Sequence, residues 1–139
     1  MDSSELYHTK QQFYLGAYTS LTAASLPDSS SDDYTPTLLY TARAHLALNT
    51  PSAALALLNQ HPDPENVQIK ALKSLTKYIV NPDETVLEEL RDLVVEVESE
   101  SEDKAKGFVK VIAGTALVRA GEIEEAIDTL GADTQDLEV

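Results

Sequence analysis

The sequence predicts an all-α protein, an α-solenoid built from about four consecutive helical hairpins. Leucine and alanine dominate, and aromatic residues make up only 6% of the 139 positions. Such a composition favours helices over sheets. In addition, prolines that follow a helix-capping residue recur along the chain, and glycine or asparagine recurs at similar intervals between the apolar stretches.

Proline marks the expected beginnings of helices. At the first helical position the backbone N–H has no intrahelical partner in any residue, so proline, which lacks that N–H, is accepted there. Ser, Thr, Asp or Asn is favoured immediately before it as the cap. Four such pairs occur, at Thr35-Pro36, Thr50-Pro51, Asp63-Pro64 and Asn81-Pro82. Together with the apolar spacing they predict eight helices, over residues 4–15, 17–26, 35–48, 51–60, 64–80, 82–97, 102–120 and 122–130.

Glycine and asparagine mark the expected corners between paired helices. They recur at Gly16, Asn49, Asn81 and Gly121, at intervals of 33, 32 and 40 residues. These two residue types best tolerate the left-handed conformation that ends a helix. A period of about 34 residues containing two helices is typical of tetratricopeptide repeats. We therefore predict one tetratricopeptide-like array over residues 1–139, wound as a right-handed superhelix.

The last hairpin carries the repeat pattern most fully. Small Ala113 and Gly114 fall where its two helices should cross, and Leu117, Ala126 and Leu130 fall at positions that fill the space between them. The longer last interval is accounted for by the acidic stretch at 96–103, which we interpret as an extended loop.

Charge limits the kinds of partner. The chain has 24 acidic and 10 basic residues, a formal net charge of −14, so it repels phosphate backbones and anionic lipid heads. No apolar run approaches the length of a membrane span. We therefore expect neither nucleic-acid binding nor direct membrane insertion. The absence of cysteine excludes thiol catalysis and favours a reducing compartment, so we expect a soluble, acidic, intracellular protein.

The polar residues form no recognisable catalytic, cofactor or metal motif. The three histidines, His8, His45 and His61, lie at unrelated positions, and the chain has no Gly-rich phosphate loop or nucleophile elbow. The acidic stretch at 96–103 lacks the residue order of a calcium loop. We predict no catalytic residue, no cofactor and no metal, and therefore no enzyme.

The first helix has more apolar surface than one neighbouring helix would cover. Leu6, Tyr7, Phe13 and Tyr14 all lie within it. One interpretation is core packing against the second helix. The other is a recognition face, since aromatic residues anchor many protein interfaces.

The same region carries a family resemblance. The stretch "ELYHTKQQFYLGAYTSLTAAS" at 5–25 resembles the amino-terminal helix pair of the coatomer epsilon subunit family, where a Glu-Leu-Phe-like start leads through a basic residue to Phe-Tyr-Ile-Gly-x-Tyr. The stretch "LLYTARAHLAL" at 38–48 is similar to that family's Tyr-Arg-Ala-Tyr-Leu-Ala helix, with His45 in place of the tyrosine. The matching residues of the first stretch are Glu5, Leu6, Tyr7, Lys10, Phe13, Tyr14, Leu15, Gly16 and Tyr18.

The resemblance implies a non-enzymatic subunit of the COPI vesicle coat. Such a subunit would clasp the carboxy-terminal region of the coatomer alpha subunit and meet the other coatomer subunits indirectly. It would lie in the cytoplasm, peripheral on Golgi membranes and COPI-coated vesicles, and support Golgi-to-ER retrograde and intra-Golgi transport. Family members are longer, and "GADTQDLEV" stops where a fifth unit would begin, so we expect an amino-terminal fragment. The apolar edge of its last unit would then be covered in one of two ways. Either the tail from Ala132 folds back and Leu137 covers the edge, or two fragments pair end to end.

Repeat geometry and the resemblance together predict a partner-binding surface. Solenoids of this type usually present the first helix of each hairpin on the concave side. The predicted contacts are Lys10, Phe13, Tyr14, Leu39, Arg43 and Leu46.

Two other functions stay open. A generic tetratricopeptide adaptor or co-chaperone module would bind a peptide or partner helix, in the co-chaperone case through a clamp of Lys, Arg and Asn on a terminal carboxylate. The ten basic residues are scattered, which disfavours that clamp, and salt-dependent binding of an acidic carboxy-terminal peptide would reveal it. An enzyme would be revealed by turnover.

Overall fold

The computed structural model describes residues 4–100 and 103–130, and the regular structure in these ranges is entirely α-helical, as predicted. The chain divides into two compact units, Met1–Pro64 and Glu65–Val139. The prediction for the tail from Ala132 lies outside the described residues, and a single array with right-handed winding stays a prediction. The eight helices of the described ranges are α1 Ser4–Tyr14, α2 Tyr18–Ala23, α3 Tyr34–Ala47, α4 Pro51–Leu58, α5 Val67–Val80, α6 Glu84–Glu100, α7 Asp103–Arg119 and α8 Ile123–Leu130.

The first unit is built around α3. This helix packs against α1, α2 and α4, and α1 also packs against α2. Its buried side chains include Leu38 and Ala42, and those of α4 are Ala54 and Leu58. All four have 0% exposure and recur at a spacing of four residues, which brings each pair onto one helix face. These four side chains form the core of the α3–α4 hairpin.

The second unit is built around α7, which packs against α5, α6 and α8. The sequence of α7 is apolar on nearly every side, as expected for a helix with three neighbouring helices, although Val118 near its end is 51% exposed. Val109, Ala113, Ala116 and Leu117 have between 0% and 2% exposure. The acidic stretch is not a loop throughout, because α6 continues to Glu100.

The structure corrects the predicted role of three of the four prolines. Pro51 is the first residue of α4, but α3 begins at Tyr34, two residues before Pro36. The third helical residue has no intrahelical N–H partner either, so a proline there costs no hydrogen bond. The other two prolines, at positions 64 and 82, lie before their helices.

Asparagine and aspartate decide where α5 and α6 begin. The Oδ1 atom of Asn66 accepts hydrogen bonds from the backbone N–H groups of Gln68 at 3.0 Å and Ile69 at 3.2 Å. Likewise, Oδ1 of Asp83 accepts from the N–H of Thr85 at 2.8 Å. Because these side chains satisfy N–H groups that would otherwise have no partner, the helices begin after them and not at the prolines.

Three hairpin corners share one backbone geometry. The φ angles of Gly16, Asn49 and Gly121 are +79°, +62° and +84°. Each corner closes with the two hydrogen bonds of a Schellman motif. At Gly121, for example, its own N–H donates to the carbonyl of Val118 at 3.0 Å, and the next N–H, that of Glu122, donates to the carbonyl of Leu117 at 2.9 Å.

Asn81 does not adopt the left-handed conformation expected of a corner. Its φ and ψ are −143° and 92°, which is extended backbone. The reason is the proline that follows it, whose ring restricts the preceding residue to extended conformations. At the earlier corner, Asn49 is separated from Pro51 by Thr50, and Thr50 is the residue with extended φ, at −122°.

Candidate functional site

Four aromatic side chains and one arginine meet on the first unit. We call Phe13, Tyr14, Tyr18, Tyr40 and Arg43 the aromatic cluster. Phe13 is at its centre, with ring centroids 5.5 Å from Tyr14, 5.7 Å from Tyr18 and 5.3 Å from Tyr40. The rings are tilted or edge-on, the orientations that aromatic quadrupoles favour. The cluster thus joins α1, the beginning of α2 and the middle of α3.

Arg43 covers the central ring of the aromatic cluster. Its Cζ atom lies 4.6 Å from the centroid of Phe13 and 5.8 Å from that of Tyr40. A guanidinium at this distance over an aromatic face is attracted by the ring's negative potential. The contact holds the half-buried arginine side chain in one place on the surface of the unit.

The aromatic cluster has a buried side and an exposed side. Tyr40 is 8% exposed and belongs to a core with Leu6 and Leu21, against which Phe13 and Tyr18 pack. Tyr14 is 50% exposed, however, and beside it in sequence Leu15 is 79% exposed. Core packing, the first interpretation of this helix, therefore applies to Phe13, which packs inward. The second interpretation, a recognition face, applies to Tyr14, which faces solvent.

The predicted partner-binding residues are only partly brought together. Phe13, Tyr14 and Arg43 meet in the aromatic cluster, and Lys10 and Leu46 are half-buried on the same two helices, α1 and α3. Leu39 is 4% exposed and lies in the core. A side chain that its own unit covers cannot reach a partner, so Leu39 has a packing role.

The sequence pattern did not single out Tyr18 and Tyr40 as members of this surface. The family resemblance includes Tyr18, but the contact of Phe13 with Tyr40 depends on how α1 crosses α3. The helical spacing within α3 does place Tyr40 one turn before Arg43. That spacing was the signal in the sequence that could have placed Tyr40 on the same surface as Arg43.

None of the three histidines belongs to the aromatic cluster, and His45 and His61 contact threonine hydroxyls. His45 Nδ1 lies 3.2 Å from the hydroxyl of Thr50, and His61 Nε2 lies 2.8 Å from the hydroxyl of Thr35. His8 is exposed on α1. Within residues 4–100 and 103–130, no group of three or more histidine or acidic side chains could hold a metal ion.

Charge is unevenly distributed between the two units. In the first unit, α1 to α4 contain one acidic residue, Glu5, and two basic ones, Lys10 and Arg43. Residues 65–139, in contrast, contain 18 of the 24 acidic residues. The aromatic cluster therefore lies on helices with almost no net charge.

Consecutive helical hairpins with left-handed corners are typical of the tetratricopeptide-like α-solenoid class. The sequence profile described as "Coatomer epsilon subunit" matches residues 2–139, so the chain belongs to the coatomer epsilon subunit family. It is accordingly a coatomer subunit, a structural component of the COPI coat in vesicle transport. Searches of the curated proteins and of the solved structures found no match. None of the described helices combines the length and apolarity needed to cross a bilayer.

Proposed function

We propose that this chain binds the carboxy-terminal region of the coatomer alpha subunit through the exposed side of its aromatic cluster. In this role it supports Golgi-to-ER retrograde and intra-Golgi transport, on the cytoplasmic face of Golgi membranes and COPI-coated vesicles, without catalysing a reaction. The observation that carries the proposal is that the half-exposed Tyr14 and the Arg43 guanidinium both contact the Phe13 and Tyr40 rings.

Tyrosine and arginine are the residue types expected at the energetic centre of an interface. Both are enriched among the few residues that dominate binding energy. Because Arg43 is stacked on Phe13 before any partner arrives, it loses less side-chain entropy on binding than a mobile arginine would. The buried rings beneath it provide a rigid base for the contact.

The low charge of the surrounding helices indicates that the contact with the partner is mainly apolar and aromatic. With only Glu5, Lys10 and Arg43 charged in α1 to α4, the surface suits a partner recognised mainly through apolar and aromatic contacts. Binding should therefore depend weakly on salt. A co-chaperone clamp on a terminal carboxylate would instead weaken steeply as salt is added.

Calorimetric titration of the full chain with the alpha-subunit carboxy-terminal region tests the proposal. Tyr14→Ala should weaken binding about thirtyfold or more, because a hot-spot tyrosine contributes about 2 kcal/mol or more. Val80→Ala is the matched control, since Val80 is 62% exposed on the second unit and lies outside the aromatic cluster. Equal affinities of the two variants, with equal helicity by circular dichroism, would place the contact elsewhere.

A further inference from the structure

The second unit contains an apolar groove between α6, α7 and α8. Its volume is about 200 Å³. The floor consists of leucines that are 1% or 2% exposed, Leu87, Leu90 and Leu117. At the mouth lie Val95, Glu125 and Thr129, and Val95 is 71% exposed. The groove thus leads from the surface to the core of the unit.

The size of the groove indicates what enters it. Pockets for cofactors and drug-sized molecules usually measure about 300–1,000 Å³, so this groove is too small for them. A cavity of about 150 Å³ holds a benzene-sized group. The groove therefore suits one or two leucine- or phenylalanine-sized side chains presented by a partner.

An acidic cluster lies beside the groove, around Arg91. Arg91, which also lines the groove, is bonded by three carboxylates, those of Glu84, Glu88 and Glu125. One positive charge against three negative ones leaves this group net negative. The side chains of Glu84 and Glu88 are 71% and 56% exposed, so both can also contact a partner.

We propose that this groove binds a cationic amphipathic helix of a partner protein. The apolar side chains on one face of that helix would enter the groove, and its lysines or arginines would pair with Glu84 and Glu88. This combination follows the helix-in-groove mode, in which an apolar stripe gives affinity and basic flanks match an acidic rim. The proposal is independent of alpha-subunit binding, because that surface belongs to the other unit.

Charge disfavours the alternative occupants of the groove. A second copy of this chain carries a formal net charge of −14, so its long-range interaction with an acidic rim is repulsive. Residues 131–139 contain three acidic residues and no basic one. Both would place like charges together, which costs free energy at an interface.

The test uses the full chain and two synthetic helical peptides with the same leucine face. One peptide carries lysine on its polar face and the other carries glutamate. Fluorescence anisotropy should show saturable binding of the lysine peptide that weakens as salt is raised, and no binding of the glutamate peptide. Equal binding of the two peptides, or no binding of either, would overturn the proposal.

Two valine variants separate the groove from the general acidity of the chain. Val95→Gln removes an apolar wall at constant charge and should weaken binding of the lysine peptide about tenfold, the effect of losing one buried valine contact. Val80→Gln, at a valine that is 62% exposed and lies outside the groove, should bind like the wild type. Equal affinities of the two variants would show that only charge is recognised.

Nuclear magnetic resonance identifies the occupant directly. Addition of the lysine peptide should shift the methyl signals of Val95 and Thr129. Methyl–methyl contacts between Leu137 and Thr129 in the free chain would assign the groove to the chain's own end. A concentration-dependent dimer that Val95→Gln dissociates would assign it to a second copy. Either result would overturn the proposal.

Discussion

Arg91 and Glu125 form a two-point ion pair between α6 and α8. Nε of Arg91 donates to Oε2 of Glu125 at 2.7 Å, and Nη2 donates to Oε1 at 2.9 Å. Nη1 donates to Glu84 and Glu88 on its own helix. These bonds, those to Glu125 first, raise the pKa of Arg91 above its ordinary value. The arginine therefore neutralises part of the negative charge of these three carboxylates, whose mutual repulsion would otherwise push α6 and α8 apart.

Replacement of this arginine should destabilise the protein measurably. Arg91→Met retains the apolar stem but leaves three carboxylates facing one another, and we expect a loss of about 1 kcal/mol in the free energy of unfolding by urea. The loss should shrink as salt is added, because salt screens the repulsion. Arg119→Met, at an exposed arginine of α7, is the control and should cost less than about 0.5 kcal/mol. Equal losses would show that Arg91 is an ordinary surface residue.

Gly114 and Leu130 are packed too closely for a larger residue. A Cβ atom built on Gly114 would lie 2.9 Å from Cγ of Leu130. We expect Gly114→Ala to destabilise the protein by about 1 kcal/mol net, because overpacking costs about 1–3 kcal/mol while alanine gains about 1 kcal/mol in helix propensity. In the double variant with Leu130→Ala the clash is absent, so its loss should be smaller than the sum of the two single losses by at least about 0.5 kcal/mol. Strict additivity would contradict close packing of α7 on α8.

The corner residues can be compared by one substitution at two asparagines. Asn49→Ala should cost about 1 kcal/mol, because Asn49 has a φ of +62° and alanine tolerates the left-handed region less well. Asn81→Ala should change stability by less than about 0.5 kcal/mol, since its φ is −143°. Thermal unfolding measures both, and a larger effect at Asn81 would contradict the assigned corners.

The glycine corners should tolerate branched side chains worst. Among the residues that the structure describes, no heavy atom other than those of the glycine and its two chain neighbours lies within 4 Å of a Cβ atom built on Gly16 or Gly121, so the cost of substitution comes from the backbone. We expect Gly121→Asn to lower the melting temperature least, Gly121→Ala more and Gly121→Val most, with the same order at Gly16. If the loss at one corner alone followed side-chain size, with alanine tolerated better than asparagine, a steric contact at that corner would be indicated.

Asp28 should titrate below its ordinary range. The backbone N–H of Ser30 donates to Oδ1 of Asp28 at 2.9 Å, and the Ser30 hydroxyl donates to the same atom at 2.8 Å. Both bonds lower the pKa of Asp28, the backbone bond more than the hydroxyl bond. Ser30→Ala removes only the hydroxyl bond, so the pKa should rise but stay below the ordinary value. Ser29→Ala is the control and should leave it unchanged.

The corresponding effect on stability has a definite sign. Because folding lowers this pKa, the bonds stabilise the fold above the ordinary carboxyl pKa. Their contribution is lost as the pH falls through the lowered value. Carbon-detected titration of the Asp28 carboxyl measures the pKa in all three proteins, and a value for Ser30→Ala equal to that of the wild type would exclude a role for the hydroxyl.

Most of the fold follows from signals that act over a few residues. Helical periodicity and the left-handed tolerance of Gly16, Asn49 and Gly121 are properties of short segments, and the eight helices overlap the eight predicted ones. Even the exception at Asn81 has a local cause, the proline after it. The prolines misplaced the starts of α5 and α6 because Asn66, two residues after Pro64, and Asp83, one residue after Pro82, act as the caps instead.

The candidate site follows from the sequence less completely. Phe13, Tyr14 and Arg43 belong to one surface because α1 crosses α3 at a particular angle. Leu39 lies on the same helix as Arg43, but it is buried where Arg43 is half-exposed. Helical spacing alone could not distinguish the two positions, since an apolar helix can be covered on any side.

By itself, the sequence determined that this protein is helical, where its helices alternate with corners, and which family it resembles. These properties depend on backbone preferences and on residue order, which are present in every segment of the chain. Only the tertiary structure decided that Phe13 supports Arg43, that Arg91 holds Glu125, and that a groove opens beside Val95. Burial and contact between distant residues depend on how helices pack, and packing is a property of pairs of helices that no single segment encodes.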